Sequence, residues 1–292
     1  MNPSARHFRD ELVPGPQREF PYCIDDFRRI AAILLEDTGI TLSEAKAPMV
    51  YSRLARRVRD LGLRNFQDYC ELVADPGGDE RRRMTAALTT NITRFFREPH
   101  HFEHLTAKVL PDLIDQARQG ARVRLWSAGC SSGEEPYSIA LTLLALMPDA
   151  ERYDIKILAI DLDNEMLERG REGRYSNASV EAVPAKLRDA WFRRESENGS
   201  LPWRAGPTLR NLVAFRELNL VGPWPMRGTF QAIFCRNTVI YFEEAEQQRV
   251  WTRMAAACAP EGFLYIGHSE RMPSQGLFAP SGLTIFRRTG DK

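Results

Sequence analysis

From residue 123 onward, short apolar runs alternate with helical stretches, and no other feature restricts the possible folds so sharply. "VRLWSAG" (123–129), "IKILAID" (155–161), "LVAFREL" (212–218), "FQAIFCRN" (230–237) and "GFLYIGH" (262–268) read as buried strands. Helical segments separate the first from the second and the fourth from the fifth. That order predicts an α/β domain with a mostly parallel sheet covered by helices on both faces. "GLFAP" and "LTIFRR" close the pattern as a terminal hairpin. Between the second and third strands lie about fifty residues, more than a crossover helix needs. That segment contains "WFRRESENGSLPWRAG" (191–206) and reads as a small antiparallel β insertion at about 176–211.

The first ninety residues follow a different period. Residues 1–21 carry Pro14, Pro16 and Pro21 and read as a mobile tail. "DDFRRIAAILLEDTG" predicts a helix stopping at Gly39, and a second runs from about Ala47 to Leu61. Asn65 offers an N-cap for "FQDYCELV", and "DPGG" (75–78) precedes a helix towards Thr90. One more helix is expected to end at Gly120. The predicted organisation is a tail at 1–21, a helical domain at 22–92 and a sheet domain at 93–292.

Composition excludes several classes. Forty basic side chains face thirty-nine acidic ones, so no global field draws the chain to nucleic acid or anionic lipid. Five scattered cysteines without a C-x-x-C pair argue for free thiols in a reducing compartment. The amino terminus has no apolar signal core, and "IALTLLALM" (139–147) is too short to span a bilayer. The expected location is the cytoplasm.

In an open α/β sheet the ligand sits beyond the carboxyl ends of the strands. After the first strand comes "GCSSGEEPYS" (129–138), glycine-rich but without Gly-Lys-[Ser/Thr], so it is no phosphate-binding loop. Glu134 suits a cationic or hydroxyl-rich ligand. Asp161 follows the second strand, where such folds place a ribose-binding carboxylate. Asn219 and Leu220 follow the third strand, and "CRNTVIYF" (235–242) follows the fourth. An adenosine ligand without phosphates fits, S-adenosylmethionine above all. A class I methyltransferase competes here with a dinucleotide enzyme or an unrelated site.

"TTNITRFFREPHHF" (89–102), "GCSSGEEPYSIA", "ILAIDLDNEML", "ELNL", "AIFCRNTVIYF" and "LYIGHSE" together resemble the chemotaxis receptor glutamate methyltransferases, the CheR family, in order and rough spacing. The resemblance runs from about residue 24 to 288. It implies an all-α amino-terminal domain before a class I, Rossmann-like methyltransferase domain with a small β subdomain. It further implies S-adenosylmethionine as methyl donor, S-adenosylhomocysteine as product, and receptor glutamate carboxylates as substrate. Asn91, Thr93 and Arg97 would then reach the cofactor from the domain junction, Glu134 its amino-acid end and Asp161 its ribose. Asn219, Leu220, Arg236 and Asn237 would close the pocket. Arg97 and Tyr241 would lie nearest the reacting methyl group.

A glutamate is already ionised at neutral pH, so the transfer needs alignment rather than a general base. An acidic receptor bundle calls for a basic surface. Arg53, Arg56 and Arg57, with Arg59 beside them, project from one side of the second helix, opposite Val50, Leu54, Val58 and Leu61. In some family members the β insertion docks an aromatic-acidic peptide from the receptor's carboxyl terminus. Those members tend to carry Gly-x-Gly where this chain has Glu195-Ser196-Glu197. His100, His101 and His104 do not form H-E-x-x-H and read as packing residues, with no metal expected. The chain is expected to work as a monomer, without nucleic acid or membrane insertion. Competing readings are methylation of another protein target and a cofactor-binding adaptor without turnover.

Overall fold

The computed structural model describes residues 18–89, 91–195, 202–272 and 276–289. Most of the expected tail, together with Ser196 and Glu197, lies outside the described residues. The chain divides into two compact units: residues 1–90 with 241–243, and the remainder.

The first unit is helical: α1 (Ile24–Thr38), α2 (Ala47–Asp60), α3 (Phe66–Val73) and α4 (Asp79–Leu88). Each boundary has a chemical cause. The Asp26 carboxylate accepts the Cys23 N–H at 3.0 Å where α1 begins, and Gly39 takes the left-handed conformation, φ 75°, where it ends. Asn65 Oδ1 accepts the Asp68 N–H at 2.7 Å and so caps α3. The apolar stripes of the four helices meet in one core around Phe27, Ile30, Leu54, Phe66, Tyr69 and Met84.

The arginines of α2 divide between two roles. Arg53 turns inward and donates to the Leu88 and Thr89 carbonyls at 2.8 and 2.9 Å, satisfying the end of α4. Arg57 grips Glu80 through two bonds, and Glu80 also accepts the Tyr69 hydroxyl at 2.9 Å. Both are structural ties, so the expected four-arginine face shrinks to Arg56 and Arg59, which are exposed and ion-paired with Asp60 and Glu19. Leu61 departs from the expected buried stripe and is 41% exposed, because α2 ends one residue earlier. Arg81, to which the sequence assigns no role, is buried and fastens α4 to the end of α1 through Glu36 and Asp37.

The second unit carries a seven-stranded sheet. Its strands are β1 (Val123–Ala128), β2 (Ile155–Asp161), β6 (Val213–Glu217), β7 (Phe230–Cys235), β8 (Cys258–Ile266), β9 (Phe278–Gly282) and β10 (Ile285–Arg288). The order is β6-β2-β1-β7-β8-β10-β9; β10 pairs antiparallel with β8 and β9, and the other pairings are parallel. Chain order reverses between β1 and β7, so their carboxyl ends open a crevice. α7 (Glu134–Leu146), α8 (Asn164–Glu172) and α12 (Glu244–Ala257) connect the strands. The single helix expected before the sheet is α5 (Pro99–His104), a π-helical turn at Leu105–Val109, and α6 (Leu110–Arg118). Pro111, in the first turn of α6, lacks the N–H that would continue a regular ladder.

The insertion is more helical than the sequence suggests. A three-stranded antiparallel sheet, β3 (Arg174–Tyr175), β5 (Trp203–Ala205) and β4 (Phe192–Arg194), starts slightly before the expected boundary. α9 (Asn177–Val180), α10 (Ala185–Trp191) and α11 (Pro207–Asn211) surround it. Phe95 binds it to the main core by edge-on contacts with Tyr175 and Phe192. All five cysteines are free. Among the described residues no helix is long and apolar enough to cross a membrane.

Replacing Glu80 by Ala should strip both the Arg57 guanidinium and the buried Tyr69 hydroxyl of their acceptor. The expected loss is about 2–4 kcal/mol of stability in the helical unit. Urea unfolding followed by circular dichroism measures it, and an unchanged midpoint would contradict the assignment.

Candidate functional site

At the end of β2, Asp161 is held by two backbone donors. Oδ2 accepts the Ser131 N–H at 2.7 Å and Oδ1 the Asp163 N–H at 3.0 Å. Burial raises its pKa above the usual carboxylate value despite those bonds. A carboxylate oriented before any ligand arrives, with lone pairs to spare, is suited to paired hydroxyl donors such as those of a ribose.

The loop after β1 is built on the neighbouring strand. Gly129 and Cys130 donate to the Ile160 carbonyl at 2.9 and 2.8 Å. Gly129 has φ 82°, and a Cβ there would stand 2.3 Å from Thr238 Oγ1. Its glycine character therefore serves the close approach of the segment after β7 as well as loop conformation. Glu134 opens α7, is only 7% exposed and accepts the Ser132 hydroxyl at 2.7 Å. Burial raises its pKa too. Two desolvated acids and no basic phosphate cradle favour a ligand carrying positive charge and hydroxyls.

Asn91 reaches Asp163 with its side-chain amide at 2.8 Å, and its carbonyl accepts the Ser131 hydroxyl at 2.9 Å. Asp163, which the sequence reading passed over, caps α8 through the Glu165 and Met166 N–H groups. The run Asp163-Asn164-Glu165 before the Met166-Leu167 pair was the available signal. Thr93 is half-buried, and its side chain makes no hydrogen bond among the described residues. Arg97 donates to the Ile92 carbonyl at 3.2 Å. The segment that carries it is strained, with positive φ at Phe96 and Glu98.

Arg236 does not line this edge with its side chain. The guanidinium is almost wholly buried, bonds Glu135 at 2.7 Å, and donates to the carbonyl of Arg97. Its side chain thereby supports the Arg97 backbone. Asn237 behaves differently. It has φ 57°, and its buried Oδ1 lacks a hydrogen-bond partner among the described residues. A strained residue with an orphan acceptor suits a ligand donor. Beside it Glu270 accepts the Thr238 and Gly267 N–H groups at 2.8 and 2.5 Å.

After β6, Asn219 folds back to accept the Val221 N–H at 3.0 Å, and Leu220 is buried. An open groove of about 520 Å³ runs along Leu162, Leu218, Asn219, Pro223, Trp224 and Pro225, apolar enough for a flat base. Trp224 and Arg253 escape the sequence reading. The Arg253 guanidinium lies 4.0 Å from the Trp224 ring and donates to the Leu220 and Gly222 carbonyls at 3.0 and 2.6 Å, shaping that loop. Tyr241 groups with the helical unit, where its carbonyl accepts the Thr41 N–H at 3.0 Å.

His101, His104 and His268 each bond protein groups. His101 is fully buried, bonds Thr284 Oγ1 at 2.8 Å, and has its pKa pushed down to about 2 by burial and then by Arg236. His104 Nδ1 meets the Tyr265 hydroxyl at 3.0 Å. His268 pairs with Glu98 at 3.0 Å.

Two family models match: the CheR methyltransferase all-alpha domain over residues 25–89 and the CheR methyltransferase SAM binding domain over 91–286. A probable chemotaxis protein methyltransferase of Rhizobium etli is 48% identical over 260 residues, 88% of this chain and 97% of that protein. Chemotaxis protein methyltransferase 2 of Pseudomonas aeruginosa is 43% identical, covering 94% and 98%. The chemotaxis protein methyltransferase of Escherichia coli is 38% identical and covers 91% of each. The chain belongs to the CheR methyltransferase family. It is an S-adenosylmethionine-dependent methyltransferase, and its donor set fits that ligand: the buried Glu134, the half-buried Asp161, one orphan acceptor, an apolar groove and no phosphate cradle.

Asp161→Asn should weaken S-adenosylhomocysteine binding roughly 10- to 100-fold, the value of a hydrogen-bonded charge. A hydroxyl donor binds a carboxylate better ionised than protonated, and the raised pKa leaves Asp161 protonated earlier on acidification. Affinity should therefore decline as pH falls from neutral towards the upper carboxylate range. Calorimetry across pH checks both, and affinity independent of pH and of the substitution would refute them.

Proposed function

We propose that this CheR-family chain transfers the methyl group of S-adenosylmethionine to glutamate side-chain carboxylates of chemoreceptors, forming methyl esters. The observation that carries the reading is the acid-lined carboxyl edge of the sheet, whose loop after β1 lacks the Gly-Lys-[Ser/Thr] of a phosphate cradle, in a chain that matches both family domains. The sulfonium supplies an activated methyl and leaves as a neutral thioether. Substrate carboxylates are ionised at neutral pH, so the protein's task is alignment and exclusion of water.

In this proposal Asp161 takes the ribose hydroxyls and Glu134 the cationic amino-acid end. Asn237 Oδ1 accepts a ligand N–H, while Asn219 and Leu220 flank the base. Asn91 and Thr93 serve the same pocket, Asn91 by steadying Asp163 and Ser131. Arg97 spends one bond on the Ile92 carbonyl and keeps further donors for a carboxylate. Tyr241 orients the incoming carboxylate through its phenol. Arg236 acts by fixing the Arg97 backbone.

The proposed partner is the helical cytoplasmic bundle of the receptor, met by the domain at 22–92 while the domain at 93–292 carries the chemistry. Arg56 and Arg59, exposed and held only by surface pairs, are the arginines suited to meet it. At the insertion, Glu195 already neutralises Arg174 and Arg204 at 3.0 Å each. This weighs against docking of an acidic receptor tail at that point.

Incubation with labelled S-adenosylmethionine and membranes bearing the host's receptors should yield base-labile methyl esters. Arg97→Ala should lower kcat/KM by roughly 100- to 1000-fold, the scale of a lost transition-state contact. Absence of esters with every receptor, or full turnover in the variant, would overturn the proposal or the role of Arg97 respectively.

A further inference from the structure

Away from the carboxyl edge, an open pocket of about 360 Å³ lies along strand β6, the outermost strand on its side of the sheet, with Arg216 exposed on its border. Three arginines from three elements border it: Arg171 of α8, Arg210 of α11 and Arg216 of β6. Arg171 Nη2 and Arg216 Nη1 donate to the same acceptor, the Phe215 carbonyl, at 3.1 and 2.7 Å. The two guanidinium nitrogens therefore stand within about 6 Å of each other, where like charges repel.

An acid balances only one of these three charges among the described residues. Glu168 pairs with Arg171 on the surface, but among the described residues neither Arg210 nor Arg216 has an acidic partner. Arg210 Nε is buried without a hydrogen-bond acceptor, a state that costs free energy unless something supplies one. The Tyr137 hydroxyl beside the cavity is already committed to the Gly170 carbonyl.

We propose that this cavity binds a phosphate-bearing small molecule. Two unbalanced guanidiniums match a phosphate dianion, and Arg presents the planar fork that oxyanions accept. The volume leaves room for more than one phosphate. The site is separate from the acid-lined methyl-donor pocket, whose charge repels the same ligand.

The probe is pyrophosphate, titrated calorimetrically into the full chain against sodium chloride of matched ionic strength, with ADP as a second arm. Wild-type protein should bind pyrophosphate, and the double variant Arg210→Ala/Arg216→Ala should bind it at least tenfold more weakly. S-adenosylhomocysteine binding retained by the variant establishes that it is folded; Arg210→Lys/Arg216→Lys, which keeps the charge, should restore part of the affinity. Tighter binding of ADP with the same arginine dependence identifies a nucleotide as the source, and binding no tighter than pyrophosphate identifies the phosphates alone. No heat beyond the salt control, or equal binding by wild type and the alanine variant, overturns the proposal.

Discussion

The site depends on one buried cation. Arg236 leaves the end of β7 and enters the protein, where Glu135 neutralises it and the rings of Phe102 and Phe234 lie 5.5 and 5.8 Å from its carbon. Glu135 also accepts the Ser127 hydroxyl at 2.7 Å, so β1, α7 and β7 share one charged junction. The same guanidinium holds the Arg97 carbonyl, and through it the strained segment from Phe96 to Glu98. With the Phe96 N–H bonded to Ser138 Oγ at 2.9 Å and His268 against Glu98, this anchor keeps that backbone in left-handed conformations that side chains disfavour.

Around the junction the protein accepts unfavourable features and offsets them with a rigid sheet. Asp161, Glu134 and Glu270 are carboxylates withdrawn from water, each with its pKa raised chiefly by burial. Each is steadied by backbone or hydroxyl donors that hold it in one orientation. The electrostatic cost of burial falls on the empty protein. A cationic, hydroxyl-bearing ligand relieves it, so preorganisation and affinity share a cause.

Much of this was legible in the sequence because the relevant signals are local. Strands buried on both faces leave continuous apolar runs, and Asp161 and Asn219 were located simply by following such a run to its end. Helix stops at Gly39 and the cap at Asn65 follow from backbone chemistry within a few residues. What escaped depends on distant partners. Arg53, Arg57 and Arg236 look like surface or ligand-binding cations until the folded chain supplies the Leu88 carbonyl, Glu80 and Glu135. Arg253 is equally mute in sequence, since its meaning lies in Trp224 and a loop about thirty residues away. The insertion misled because short helices and short strands share turn signals, and only packing separates them.

The placement of β10 sets the order in which the sheet can be finished. This strand, the last in sequence, lies between β8 and β9 and pairs with both. During synthesis β8 therefore stays an open edge, with its backbone donors and acceptors exposed, until Ile285–Arg288 has left the ribosome. A nascent chain stalled before that point would present a long apolar border to its neighbours, which makes the final hairpin a clasp against aggregation as well as a part of the fold.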